Sequence, residues 1–198
     1  MEIIEQNRYY KVALDTIKTI DFYREQLPVD LINKAHTSFK NEQRIREWLH
    51  THYMIKKLTD IFQTYGYNEW RKPFCSVTGE VLSIAHSDMY SAVIIASSGL
   101  VGIDIEEKGR DFKRASVKFI NNKESVWVKS NEDLIKIWCF KEAAFKIINN
   151  ASPDFKNDYH CIMSAEKTKV FVNKPIEKSI NMFFIDNEKY FLTWCFEK

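Results

Sequence analysis

Asp104 and Glu106 stand two residues apart in Val101-Gly102-Ile103-Asp104-Ile105-Glu106, and Glu142 and Lys146 stand four apart in Trp138-Cys139-Phe140-Lys141-Glu142-Ala143-Ala144-Phe145-Lys146. In the first run Ile103 and Ile105 alternate with the two acids, which is the period of a strand. Alternation sends both carboxylates to one face, about 7 Å apart along the strand. Like charges that close repel, so one takes up a proton unless a cation sits between them. The second run has helical spacing, with Trp138, Glu142 and Lys146 on one side. Taken alone, each run has an ordinary explanation: solvated acids at a strand end, and a surface ion pair worth about 0.3 kcal/mol. Together, three acids and two lysines on regular elements are the donors of a magnesium–phosphate site. Carboxylate oxygens suit a hard cation that keeps waters and shares phosphate oxygens, and lysines serve phosphate as point charges. The chemistry implied is phosphoryl-type transfer, with metal and lysine stabilising charge on the transferring group and the leaving oxygen.

Such a site needs a scaffold. The chain has 198 residues, 45% of them hydrophobic and 28% charged, an ordinary globular balance. That length allows one good core or two lobes of about 100 residues each. A formal net charge of +2 gives no general polyanion signal, so no nucleic-acid partner is expected. Cys75, Cys139, Cys161 and Cys195 are widely spaced and form no Cys-x-x-Cys pair, which reads as inert thiols in a reducing compartment. The first residues lack a basic segment followed by an apolar run, and no apolar stretch approaches about 18 residues. A cytoplasmic protein without membrane attachment is expected.

Periodicity and punctuation predict a strand within Tyr9 to Ile20 and a largely helical stretch from Val29 to Phe62, begun at Pro28 and recapped at Asn41. Gly66 to Gly79, around Pro73, reads as a loop. Three strands follow, Val81 to Ala85, Tyr90 to Ser97 and Leu100 to Glu106, with Ser97-Ser98-Gly99 read as the turn of a hairpin between the last two. Residues 111 to 127 read as a basic amphipathic helix and a second short one. Ser130-Asn131-Glu132-Asp133 is a helix start, with a capping residue and acids in the first turn. That helix is expected to end near Asn149-Asn150. Tyr159 to Met163, Lys169 to Val172, Ile180 to Ile185 and Tyr190 to Phe196 read as an antiparallel meander, with Asp186-Asn187-Glu188 as one turn. Mixed elements with hairpins favour an α+β fold; the halves around residue 100 have similar content, which allows two lobes, 1–99 and 100–198, without by itself showing them.

The two chemistry-bearing runs resemble, in residues and in spacing, the signature of the 4′-phosphopantetheinyl transferase superfamily. Other segments agree: Arg71-Lys72-Pro73 resembles its basic-Pro segment, Ile84-Ala85-His86-Ser87 its strand-end segment, Phe119 to Glu124 its Phe-x-x-x-x-Glu segment, and Arg44 to Phe62 its basic helix. The likeness spans about residues 40 to 150, and the length resembles the larger, two-lobed surfactin-synthetase-activating type. That type has two similar α/β lobes with a pseudo-twofold relation, antiparallel sheets packed with helices, and its site between the lobes of one monomeric chain. The resemblance implies a magnesium-dependent enzyme that moves the phosphopantetheine arm of coenzyme A onto a serine of an apo acyl or peptidyl carrier protein and releases adenosine 3′,5′-bisphosphate.

Site roles follow from the same resemblance. Asp104, Glu106 and Glu142 hold the metal. Lys146, and with it Lys141, neutralises the pyrophosphate. Either Glu124 or Glu142 orients the serine hydroxyl or takes its proton. His86 and Ser87 contact the coenzyme, and Lys72 with Arg44 or Arg46 is placed for the 3′-phosphate. Lys113, Arg114, Lys118, Lys123 and Lys129 make a local basic surface that could steer an acidic carrier. Three features depart from the family pattern: Ala85 in place of serine, Cys139-Phe140 after the tryptophan, and an Asn149 to Pro153 segment without glycine. Two rival readings share the residues. One is another magnesium-dependent enzyme of nucleotides or pyrophosphate, and the other is a non-catalytic relative that binds coenzyme A or carrier.

Overall fold

A computed structural model of the chain describes residues 1–148, 153–164 and 167–198. The chain divides into two compact units, Met1–Ser98 and Gly99–Lys198. The fold is α+β, with antiparallel strands in each unit packed against helices.

In the first unit, β1 (Glu2–Gln6), β2 (Tyr10–Thr16), β3 (Tyr65–Tyr67), β4 (Pro73–Cys75), β5 (Val81–His86) and β6 (Tyr90–Ala96) form one sheet in the order β1-β2-β6-β5-β4-β3. Three helices accompany it: α1 (Ile20–Gln26), α2 (Val29–Ser38) and α3 (Glu42–Thr59). The Asn41 side chain accepts from the Arg44 N–H at 3.1 Å and so caps the start of α3. One side of α3 buries Met54, Ile55 and Leu58 against Ala13, Val93 and Ile95 of the sheet. Ile45 and Leu49, also on α3, pack with Tyr23, Leu31 and Ala35 of α1 and α2. The loop expected between Gly66 and Gly79 holds two short strands instead. Asn68 is the reason: its side-chain oxygen accepts from the backbone N–H groups of Trp70 and Lys72 and folds the segment back on itself.

The second unit holds β7 (Leu100–Glu107), α4 (Asn122–Ser125), α5 (Asn131–Ile148), β8 (Tyr159–Met163), β9 (Thr168–Val172), β10 (Lys178–Asp186) and β11 (Tyr190–Glu197), with sheet order β7-β11-β10-β9-β8. The expected meander is present, and Asn187 closes its last turn by accepting from the Lys189 and Tyr190 N–H groups. The expected hairpin between β6 and β7 is not formed. β6 pairs with β2 and β5, whereas β7 pairs with β11 along its whole length, Leu100↔Glu197 to Glu107↔Tyr190. Residues 111–127 form a 3-10 turn (Ser116–Lys118) and the single turn of α4, not a basic amphipathic helix. At the start of α5, Asp133 Oδ2 accepts from the N–H groups of Lys129 and Ser130 while Ser130 Oγ accepts from the Asp133 N–H. The expected helix end at Asn149-Asn150, and the glycine-free segment as far as Ser152, lie outside the described residues. Buried side chains of α5 (Leu134, Ile137, Phe140, Ala144 and Ile147) fill the core over the sheet.

Candidate active site

The contact between β7 and α5 starts from a missing side chain. A Cβ on Gly102 would lie 2.0 Å from the carbonyl oxygen of Ala143 and 3.0 Å from Cys195 Sγ, so only glycine lets strand and helix approach this closely. Gly102, Asp104 and Glu106 share one strand face by alternation, so the approach at Gly102 brings both acids against α5. Lys146, from α5, donates to Asp104 Oδ1 at 2.9 Å and to the Ile103 carbonyl at 2.6 Å.

The acids are crowded and largely out of solvent: Asp104 is 8% and Glu106 6% exposed. Burial and the Asp104 charge push the Glu106 carboxyl up to about 6, against the pull of Arg110 and of a hydrogen bond from Trp138. Burial, Asp104 and Glu106 push Glu142 up to about 7, with Lys146 opposing. Asp104 Oδ2 is buried and has no hydrogen-bond partner of normal geometry, although the buried Cys139 thiol lies beside the acid and is pushed far up by burial and the two carboxylates. Three carboxylates thus meet two protein cations, and one buried acceptor stays orphaned. That donor set fits a hard dication, which would supply the missing charge and take the free oxygen. Among the described residues no three His, Cys, Asp or Glu side chains are already drawn in to metal-holding distance. Lys146 sits on Asp104, and one Arg110 nitrogen reaches both Glu106 oxygens, at 2.8 and 2.6 Å.

Arg110 was not singled out in the sequence. The available signal was its position, four residues after Glu106 on the segment leaving β7. Phe112 carries its guanidinium 5.0 Å from the ring centroid and helps to fix it.

Lys141 and Glu124 are placed elsewhere. The Lys141 ammonium is fully buried and spends its three N–H groups on the Phe119 carbonyl at 2.5 Å, Glu124 Oε2 at 2.7 Å and the Phe155 carbonyl at 2.8 Å. Glu124 also accepts from the Asn121 and Cys161 N–H groups and completes the capping box of α4. Lys141 therefore has no N–H left for a pyrophosphate, and this corrects its expected coenzyme contact. The cause is rotation about the helix axis: one residue turns the side chain about 100° from Glu142 and into the core.

In the first unit, His86 lies at the end of β5 with Nε2 3.0 Å from Thr51 Oγ1. It lines a cavity of about 400 Å³ with Arg44, Glu47, Trp48, Tyr65 and Tyr67. Arg44 pairs with Glu47 at 2.7 Å and is otherwise largely exposed. Arg46 does not reach this cavity: its guanidinium is tied to the Lys18 carbonyl at 2.9 Å, so of the two expected arginines the structure groups Arg44, not Arg46, with His86. Ser87 accepts from the Tyr90 N–H and closes the turn from β5 into β6. Lys72 follows the Asn68 turn at the edge of β4. All four cysteines are free and buried.

Residues 100–195 match the 4′-phosphopantetheinyl transferase superfamily. No curated protein matches the chain. The phosphopantetheinyl transferase match begins at the first residue of β7 and ends within β11, so it contains every member of the acidic cluster, Arg110 and both lysines. Arg46, Lys72, His86 and Ser87 lie outside the matched span. No described helix is long and apolar enough to cross a membrane.

Proposed function

We propose that this protein transfers the 4′-phosphopantetheine arm of coenzyme A to a serine hydroxyl of an apo acyl or peptidyl carrier protein and releases adenosine 3′,5′-bisphosphate. One observation carries the reading: within the matched span, a glycine contact presses Asp104 and Glu106 onto the helix that supplies Glu142 and Lys146. Asp104, Glu106 and Glu142 would hold magnesium, which supplies positive charge to a pyrophosphate and its developing leaving group. Lys146, already at the edge of the cluster and 25% exposed, neutralises pyrophosphate charge. Glu142 is the better candidate to accept the serine proton, since it titrates near neutrality among the cluster acids. Both oxygens of Glu124 are committed to structural donors, so Glu124 takes a positioning part. Arg44 and His86, with Lys72 and Ser87, are the coenzyme contacts of the first unit. Lys113, Arg114, Lys118, Lys123 and Lys129 are all exposed, beside exposed Val117 and Val126, which suits an acidic carrier surface. The form this reading takes is a monomeric cytoplasmic enzyme of the larger, two-lobed type.

The test is mass spectrometry of an apo carrier incubated with the protein, coenzyme A and Mg²⁺. One phosphopantetheine arm should be gained on the carrier serine. Asp104→Ala should lower the rate at least about a hundredfold while circular dichroism stays native. A protein that binds coenzyme A but modifies none of several carriers would support the non-catalytic alternative, and near-normal transfer by Asp104→Ala would sink the metal assignment.

A further inference from the structure

Arg110 meets Glu106 with one guanidinium nitrogen, 2.8 Å from Oε1 and 2.6 Å from Oε2. Arginine ordinarily meets a carboxylate side by side, with two nitrogens and one oxygen for each. A single donor on both oxygens acts instead as a point cation does. Arg110 thus occupies both oxygens of Glu106, and a dication arriving at either meets a like charge.

The contact is fixed at its root and loose at its tip. Asn131 Nδ2 donates to the Arg110 carbonyl at 2.7 Å, and Asn131 Oδ1 accepts from the Phe112 N–H at 2.8 Å. Lys108 ties the same segment to Glu132 at 3.1 Å and to Asp186 at 2.7 Å. The Arg110 side chain, by contrast, is 62% exposed against 8% for its acid, so releasing it costs little. Glu106 keeps a partner when Arg110 leaves, because Trp138 also donates to its carboxylate. Phe112, which carries the guanidinium, lies 5.9 Å from Trp138 between ring centroids, so a released Arg110 stays rooted beside the cluster.

Charge decides where the released cation goes. Asp104, Glu106 and Glu142 against Lys146 and Arg110 leave one formal negative charge when all are ionised. A dication turns that into one positive charge, which only an anion satisfies. We infer that Arg110 is a latch that passes from Glu106 to the substrate anion: it neutralises Glu106 in the unloaded site and, once a dication takes Glu106, pairs with a pyrophosphate oxygen of coenzyme A. The second half rests on the transferase reading. Metal and coenzyme then bind cooperatively through Arg110, beyond what the metal adds by touching the anion itself.

Titration calorimetry on the full chain tests both halves, with Mn²⁺ alone and with coenzyme A at zero and at saturating Mn²⁺. Arg110→Gln should bind Mn²⁺ several-fold more tightly. With Mn²⁺ saturating, it should bind coenzyme A about fivefold more weakly. Without metal its coenzyme A affinity should equal the parent's, since the guanidinium is then on Glu106. Lys108→Gln removes the same charge two residues earlier and should change neither titration more than about twofold. Thermal melts check the fold of both variants. Unchanged Mn²⁺ affinity in Arg110→Gln, the same tightening in Lys108→Gln, or equal weakening of coenzyme A with and without metal would each overturn the latch alone and leave Arg110 a plain surface charge. A parent that binds Mn²⁺ but no coenzyme A would overturn the hand-over and the transferase reading together.

Discussion

Lys141 and Lys146 leave the same helix little more than one turn apart and meet opposite surroundings. The Lys141 ammonium is fully buried; it has one acid, Glu124, and two carbonyls, so charge and hydrogen bonds are both balanced. Lys146 is 25% exposed and faces a surplus: Asp104, Glu106 and Glu142 against itself and Arg110, with Asp104 Oδ2 unmatched. Residue type does not separate the two lysines, and neither does burial of the acids, since Glu124 is the most buried of the four. What separates them is whether the local account of charge closes. A closed account is structure, and an open one awaits a ligand.

Lys141→Met should break the closed account with the largest stability effect. Glu124 would keep its burial without its cation, and urea unfolding should show a loss of about 3–5 kcal/mol. Adding Glu124→Leu should recover part of it. A loss below about 1 kcal/mol would mean that the pair is no more than a tolerated ornament of the core.

Glu142→Gln probes the open account and should do the reverse. The folded-state pKa of Glu142 is raised to about 7 from an ordinary 4.5, so the folded chain holds this proton more tightly than the unfolded chain. Stability therefore falls as pH rises from about 4.5 to 7, and the variant escapes that fall. Relative to the parent, Glu142→Gln should gain on the order of 2 kcal/mol at pH 8 and nothing at pH 4. Saturating Mg²⁺ should reverse the parent's trend, because metal ligands must be deprotonated. Parallel pH–stability curves for the two proteins would show that the crowding is absent in solution.

The smallest effect is expected at Arg110. Its side chain is 62% exposed, so Arg110→Gln should change stability by less than about 1 kcal/mol. It should nevertheless strengthen Mn²⁺ binding several-fold by calorimetry, since the guanidinium and a metal compete for the same Glu106 oxygens. Unchanged Mn²⁺ affinity would make Arg110 a bystander.

The acids of β7 and the spacing along α5 were legible in the sequence because both follow local periods, two for a strand and four for a helix side. The β10–β11 turn was legible from its own turn residues. The destiny of Lys141 was not, because its partners Phe119, Glu124 and Phe155 are distant in sequence and meet it only through packing. The hairpin read across Ser97-Ser98-Gly99 failed for a related reason. A good turn sequence proposes a reversal, but β7 finds its complement in β11, at the far end of the chain. Arg44 and Arg46 could not be told apart without the Lys18 carbonyl that claims one of them. β1 and α1 went unseen: β1 is short and largely exposed and α1 buries only Tyr23, so neither repeats an apolar period long enough to read.

Gly102 carries no charge, binds nothing and lies two residues from the chemistry, yet the helix rests on its bare backbone. Adding even one methyl group there would act as a shim, tilting a rigid rod that bears Glu142 and Lys146 while leaving each of them chemically intact. Substitutions at this position would consequently imitate lesions of the acids themselves, and a functional screen would group a silent glycine with the groups that do the work.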